Sequence, residues 1–151
     1  MKKVYRILIF LHVFVGIGAL GGGYAGISNP NGPFGIPVEV LKNSPFDNFF
    51  IPGIILFTVI GMGNLFSAVM YGFKTYIKSY ISLIFSCALP IFIIVQCYMM
   101  QSIVALHVIF FIIGLIQIIL TKIIMFEQRL FPTNIILDFY NEKIKEPKNH
   151  A

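Results

Sequence analysis

The sequence predicts an all-α membrane protein built as a four-transmembrane-helix bundle with a short C-terminal interfacial helix. Of the 151 residues, 58% are hydrophobic and only 11% are charged, whereas about 25% of the residues in a soluble domain are charged. The apolar residues form four long runs whose central parts contain no Asp, Glu, Lys or Arg. This composition excludes a disordered chain, a collagen-like chain and an ordinary soluble enzyme.

Each apolar run is long enough to cross a bilayer as a helix, which takes about 20 residues. The predicted helices cover residues 4–27, 50–73, 80–97 and 103–124 of a single domain that spans 1–151. Because the runs are apolar on every side rather than in alternation, they are typical of helices and not of β-barrel strands. Residues 28–49 join the first two helices as a loop rich in Pro, Gly and Asn.

Residues 125–151 form a polar tail in which a further helix is predicted. Pro132 interrupts the fourth helix, and Ile136, Phe139, Tyr140 and Ile144 then recur at helical spacing opposite charged residues. This pattern is typical of an amphipathic helix that lies at a membrane interface. The alternative is a frayed polar tail.

The charges are sorted to one side of the predicted membrane. Ten of the eleven Lys and Arg residues lie in the N-terminal segment, the turn after the second helix or the C-terminal part, and Lys42 alone lies in the loop. We therefore expect a protein of the cell membrane. By the positive-inside rule, both termini should lie in the cytoplasm and the 28–49 loop on the outer side. Despite the net charge of +5, no nucleic-acid partner is expected, because the sequence has no basic face interleaved with aromatic residues.

The N-terminal segment also resembles a secretory signal peptide, because basic residues precede an apolar run and the small-residue patch GGGYAG. The apolar run is longer than a signal peptide needs, and no A-x-A cleavage site follows it. We therefore expect the first helix to be retained.

Glycines line one face of the first predicted helix. Gly18, Gly22 and Gly26 form two overlapping G-x-x-x-G steps, and glycines four residues apart let a second backbone approach closely. We expect this face to pack against the small residues of the second helix. The alternatives are an interface with a second copy of the chain and a surface for a bound lipid or cofactor.

The end of the loop contains a helix-capping pattern followed by a proline–glycine pair. Ser44 is predicted to cap the second helix, with Pro45 in the first helical position and Asp47 in the third. Pro52, next to Gly53, is predicted to kink this helix where it enters the membrane. The alternative for Asp47 is a role as a ligand for an ion or a substrate.

Two segments of this region carry a resemblance to known proteins. They are NPNGPFGIP at residues 29–37 and SPFDNFFIPGIILF at residues 44–57. Together with the basic start and the Gly-rich first helix, they resemble a family of small, uncharacterised bacterial four-helix integral membrane proteins. The resemblance implies the four-helix architecture over the whole chain. It implies no catalytic residue and no substrate.

Four polar side chains inside the predicted helices define a candidate polar site. They are His12, Asn64, His107 and Gln117, and polar groups inside a membrane are costly and often functional. We expect them to form hydrogen bonds between helices. By the helical rise, His12 and His107 lie at depths about 12 Å apart, so they do not fit the two axial positions of one haem. We predict no cofactor and no metal.

Carboxylates and paired cysteines are missing where membrane transport or redox chemistry would need them. No Asp or Glu lies between Asp47 and Glu127, which argues against a proton-coupled exporter that uses a membrane-embedded acid. Cys87 and Cys97 are ten residues apart. That spacing is about 15 Å along a helix, and a disulfide spans at most about 7 Å between Cα atoms. Pro90 is expected to kink the third helix.

These observations predict a non-enzymatic membrane protein, either an accessory subunit or a small lipophile-binding module. Its expected partners are the lipid bilayer and, in addition, a second copy of the chain or another membrane protein. The alternative is a small transporter or channel-like subunit, with the polar residues and the Pro90 kink along a path between helices. A third hypothesis is an intramembrane enzyme that uses His12, His107 or Asp47.

Overall fold

The computed structural model describes residues 1–131 and 133–145, and this part of the chain is helical and contains no strand. Four of its helices are long and apolar enough to cross a membrane: α1 at Lys2–Ser28, α2 at Phe50–Met70, α3 at Ile77–Met100 and α4 at Ala105–Glu127. A fifth helix, α5, covers Thr133–Lys145. The predicted all-α class and the four long apolar helices are confirmed, with shifts of a few residues at their ends.

The four long helices pack side by side with neighbours running in opposite directions. Helix α1 contacts α2 and α4, and α3 contacts the same two helices. Gly26 lies beside Gly53, and Gly16 lies beside Gly61, so residue numbers rise along α1 as they fall along α2. The 28–49 loop and the α3–α4 turn therefore share one end of the bundle, called here the loop end. The N-terminus and the α2–α3 turn share the other, called the terminal end.

Glycines bring the backbones of α1 and α2 into direct contact. A Cβ added at Gly23 would lie 2.6 Å from the backbone nitrogen of Phe57, and one added at Gly26 would lie 3.1 Å from the Cα of Gly53. Side chains at these positions would collide with backbone, which cannot move aside as a flexible side chain can. The expected packing of α1 on α2 is thus observed at Gly26.

The other two glycines of the predicted face lie beside side chains rather than backbone. A Cβ at Gly18 would be 3.2 Å from the Phe110 ring of α4, and one at Gly22 would be 3.1 Å from a methyl group of Leu56. Gly18 is exposed and Gly22 is half-buried. Because neither Gly18 nor Gly22 contacts the backbone of another helix, space remains beside α1 at these two positions.

Helix α2 changes its winding in the middle. Residues Leu56–Met62 form a π-helical segment between two α-helical parts, a feature often found at functional sites. The Ile60 carbonyl oxygen at the end of this segment accepts hydrogen bonds from the Gly63 backbone and from Asn64 Nδ2. The local winding of α2 therefore determines how the Asn64 side chain is held.

The loop folds over the end of the bundle instead of extending from it. It contains two short 3-10 turns, Pro33–Gly35 and Val38–Leu41. Leu41 and Phe49 are buried against Met99 near the end of α3. The Phe49 backbone N–H also donates to the Pro30 carbonyl oxygen over 2.9 Å, which closes the loop on itself.

The predicted capping pattern at Ser44 is wrong, because α2 begins six residues later, at Phe50. Ser44 Oγ instead accepts a hydrogen bond from the Phe46 backbone in a local turn. Asn48 takes the role nearest to a cap, since its Oδ1 accepts from the Phe50 N–H over 3.0 Å. Pro52 lies in the first turn of α2, where its missing N–H leaves no hydrogen bond unmade.

Helix α3 continues on both sides of Pro90. The proline ring packs against α4 at Gly114, where an added Cβ would lie 2.8 Å from Pro90 Cδ. Pro90 and Gly114 therefore form a close contact between α3 and α4.

The close contact at Gly23 predicts a specific loss of stability. Gly23→Ala places a methyl group against the Phe57 backbone, so we expect it to destabilise the protein by about 1–3 kcal/mol. Gly21→Ala is the matched control, because nothing lies within 4 Å of its added Cβ. Thermal unfolding of the two variants in detergent checks this. Equal melting temperatures would contradict the contact.

Candidate functional site

Polar side chains from all four long helices meet inside the terminal half of the bundle. They are His12 of α1, Asn64 of α2, Ser82 of α3, and Gln117 and Thr121 of α4, and each is 0% exposed. We call this set the polar cluster. Three of the four residues predicted for a polar site, His12, Asn64 and Gln117, are thus brought together.

Histidine 12 is at the centre of the polar cluster. Its Nδ1 lies 2.7 Å from Asn64 Oδ1, and its Nε2 lies 2.8 Å from Ser82 Oγ. Asn64 Nδ2 donates to the Ile60 carbonyl oxygen over 2.8 Å, which fixes the orientation of the amide. Since the amide oxygen can only accept, His12 carries a hydrogen on Nδ1 and donates it to Asn64.

Residues of α4 complete the polar cluster. Ser82 Oγ lies 2.9 Å from Thr121 Oγ1, which donates to the Gln117 carbonyl oxygen over 2.8 Å. Gln117 Nε2 donates to Asn64 Oδ1 over 3.3 Å. The cluster therefore links α1 to α2, α3 and α4 through side chains that are closed off from solvent, and it sets the relative heights of the four helices.

Ser82 and Thr121 were not predicted from the sequence. The signal that could have found Ser82 is a stripe of serines on α3, because Ser79, Ser82 and Ser86 recur at helical spacing and are all fully buried. Such a stripe marks the face of an apolar helix that meets polar partners. Thr121 follows Gln117 by four residues and thus lies on the same face of α4.

His107 lies apart from the polar cluster. It sits in the first turn of α4 at the loop end, 6% exposed, and its Nδ1 accepts a long hydrogen bond of 3.4 Å from the Val104 backbone. It is ten residues from Gln117 on the same helix, which corresponds to about 15 Å. The two histidines engage different partners in different halves of the bundle, so they do not form a shared site.

An apolar cavity of about 370 Å³ lies beside His107 at the loop end. We call it the loop cavity. Gly18 and Gly22 form part of its wall, and residues of the loop, among them Phe34, cover it. Among the described residues that line the loop cavity, none is charged. Its polar lining consists of Gln96, Ser102 and His107.

The floor of the loop cavity separates it from the polar cluster. Val15, Ile60 and Leu89 line the cavity and are at most 2% exposed. Each lies on its helix between the cavity and the cluster residue of that helix. A second cavity of about 410 Å³ lies between α2 and α3 and shares Ile60 and Gln96 with the first.

Aromatic and basic side chains join the helices at the terminal end. Gln128 Nε2 donates to the Tyr5 hydroxyl over 2.7 Å, and Ser79 donates to Gln128 Oε1 over 3.1 Å. The Lys78 ammonium lies 5.6 Å from the centre of the Tyr5 ring and 5.9 Å from that of Tyr71. These distances are within the range of cation–π attraction, so the Lys78 ammonium packs against both tyrosine rings at the terminal end.

Over residues 1–131 and 133–145, no group of three or more His, Cys, Asp or Glu side chains could hold a metal ion. Cys87 and Cys97 are free thiols on α3. The arrangement offers two things: an internal hydrogen-bond network and an apolar cavity with a polar end.

Comparison with known proteins finds no matching family model, no similar curated protein and no similar solved structure. The fold and the site define a helical protein with four helices that are long and apolar enough to span a membrane. Its function must therefore be argued from the cavity and the polar cluster.

The His12–Asn64 hydrogen bond predicts non-additive stability effects. Asn64→Leu leaves a buried N–H of His12 without its partner, and we expect a loss of about 1–3 kcal/mol. His12→Phe combined with Asn64→Leu removes both partners, so the double variant should lose less than the sum of the single variants. Unfolding in detergent measures this, with Asn43→Leu in the exposed loop as the control. Strict additivity would contradict the hydrogen bond.

Proposed function

We propose that this chain is a non-enzymatic membrane protein that binds a lipophilic molecule in the loop cavity. The observation that carries the proposal is the cavity itself, an apolar space of about 370 Å³. Small-molecule sites usually measure about 300–1,000 Å³ and are apolar with a few polar groups, as this one is. Gly18 and Gly22 keep the space open, because any side chain at these positions would project into or beside it.

The proposal places the four long helices in a bilayer. Their outward faces are covered with exposed apolar side chains, for example Phe10, Ile17, Ile84 and Ile112. Water would make such a surface unstable, whereas lipid tails match it. The alternating direction of the helices agrees with a multi-pass arrangement.

The orientation we propose has both termini in the cytoplasm and the loop cavity near the outer surface of the cell membrane. Ten of the eleven Lys and Arg residues belong to the segments at the terminal end or to the C-terminal part, which supports it through the positive-inside rule. In α5, the apolar side chains of Ile135, Ile136 and Tyr140 are exposed on neighbouring turns. We propose that this helix lies along the cytoplasmic interface.

A role as an accessory subunit is compatible with lipophile binding. The glycines that make backbone contact, Gly23 and Gly26, are already occupied by α2, so a second copy or another membrane protein would use a different surface. The outward faces of the helices remain available for contact with such a partner.

The second candidate function is a small transporter or channel-like subunit, and the polar cluster is the observation that favours it. A buried, hydrogen-bonded histidine inside a membrane is a common element of such proteins. The cluster residues are fully buried and bonded to one another, and Val15, Ile60 and Leu89 separate them from the loop cavity. A path would require this floor to move, so we place binding first.

The proposed orientation predicts opposite labelling of two lysine positions. With Cys87 and Cys97 replaced by Ala, Lys42→Cys should react with a membrane-impermeant maleimide in intact cells. Lys74→Cys should react only after permeabilisation, because we place it in the cytoplasm. Gel-shift detection of the label reads out both variants. Labelling of Lys74→Cys in intact cells would contradict the orientation.

Filling the loop cavity is expected to weaken binding strongly. Gly22→Leu puts an isobutyl group into the space, and its Cβ meets only a flexible part of Leu56 at 3.1 Å. We expect the lipophile retained per protein after purification in mild detergent to fall about tenfold, measured by mass spectrometry of extracts. Gly21→Leu is the control, since nothing lies within 4 Å of that position. A wild-type protein that retains no lipophile would contradict the proposal.

A further inference from the structure

We infer that the ligand of the loop cavity has an uncharged polar head with a hydrogen-bond-accepting oxygen, such as an ester or ketone carbonyl. We further infer that this head lies at the loop end against His107 and Gln96 while the apolar part points toward the cavity floor. The inference rests on the proposed binding function. It adds the chemical class of the ligand and its direction in the site.

His107 has one ring nitrogen, Nε2, without a hydrogen-bond partner among the described residues. The ring is 6% exposed and lines the loop cavity. Its Nδ1 accepts a hydrogen bond from the Val104 backbone, so the neutral ring carries its hydrogen on Nε2. Among the described residues, the one hydrogen bond of the His107 ring is this contact at Nδ1. Nε2 is not one of the fully buried polar atoms that lack a partner, and an acceptor oxygen on a ligand in the loop cavity would supply the hydrogen bond that the protein does not.

Gln96 on the neighbouring helix α3 has an amide that makes few hydrogen bonds within the protein. Its amide lines the loop cavity and also the second cavity between α2 and α3. Within the described residues its one hydrogen-bond contact is a weak one of 3.8 Å from Nε2 to the sulfur of Met100. The amide therefore has both a donor and an acceptor available to a ligand. Ser102 adds a hydroxyl to the same lining.

The direction of the ligand follows from where these groups lie. Gln96 is near the end of α3, and His107 is in the first turn of α4, so both are at the loop end. At the opposite side of the cavity, Val15, Ile60 and Leu89 form an apolar floor. Only one orientation lets a polar head reach the free donors and an apolar chain reach the floor.

The absence of charge in the lining excludes an ionised head. None of the described residues that line the loop cavity is Lys, Arg, Asp or Glu. A carboxylate or phosphate here would lose its water and meet no cation, which is strongly unfavourable. A neutral imidazole and an amide instead supply hydrogen bonds to a carbonyl without requiring a charge.

Photo-crosslinking with three matched probes tests the inference. The probes carry the same diazirine-labelled chain and end in a methyl ester, a free carboxylic acid or a plain hydrocarbon. The full-length protein is labelled in detergent at alkaline pH, where the acid is ionised, and peptides of α1 and α4 are analysed. We expect the ester to label cavity peptides about tenfold more than the acid.

Variants of the two polar residues separate head recognition from apolar binding. His107→Leu and Gln96→Leu should each lower ester labelling toward the hydrocarbon level and leave hydrocarbon labelling unchanged. His107→Gln, which keeps a donor, should retain part of the ester preference. Tyr98→Phe removes an exposed hydroxyl at the same end of α3 and is the control. If His107→Leu does not fold, Gln96→Leu decides the result.

The possible outcomes overturn either the inferred head group or the binding function. Equal labelling by ester and acid, or an ester preference that survives both leucine variants, would overturn the inferred head group. Failure of all three probes to label the cavity peptides of the wild-type protein would overturn the binding function itself. Labelling by the hydrocarbon alone would keep the binding function and remove the head-group inference.

Discussion

The backbone contact between α1 and α2 determines where almost everything else in the molecule lies. Gly23 against Phe57 and Gly26 against Gly53 allow the two helices to approach until their main chains touch. In the bilayer that we propose for these helices, no hydrophobic force brings helices together, so dispersion between closely fitting surfaces has to do so. Once these contacts fix the register, His12 necessarily comes opposite Asn64.

The two halves of the bundle are then held by different forces. The terminal half is joined by hydrogen bonds between side chains of four helices, which have preferred distances and leave little freedom. In the loop half, α1 presents Gly18 and Gly22 toward the loop cavity, so little fills the space between α1 and α4. The loop cavity therefore results from Gly18 and Gly22, which lie near Gly23 and Gly26 on α1 but do not contact the α2 backbone.

Much of this fold was predictable, because a long apolar run without charges has few other structures available. Hydrogen bonding between helices by His12, Asn64 and Gln117 was expected, since polar groups in apolar surroundings pair, but the sequence did not predict that the three meet at one site. The apolar run predicted the start of α2 at residue 50, as observed, but the capping pattern at Ser44 pointed six residues earlier. Ser44 and Asp47 make a strong capping signal, but burial of Phe49 against the end of α3 overrides it. The π-helical segment of α2 was not predictable either. Which glycines of α1 contact backbone and which line the cavity depends on the register between α1 and α2, and the local sequence does not specify that register.

The two histidines show why hydrogen-bond satisfaction is more informative than residue type. Both are nearly or fully buried, and both lie inside apolar helices. His12 has partners at both ring nitrogens, so a ligand could bind it only by breaking bonds that hold the helices together. His107 has a partner at Nδ1 alone and borders an open apolar space. His12 is therefore part of the hydrogen bonding that joins the helices, whereas His107 has one ring nitrogen without a partner among the described residues. This difference supports the proposal that a ligand binds at the loop end, while the hydrogen bonds of the polar cluster join the four helices in the terminal half.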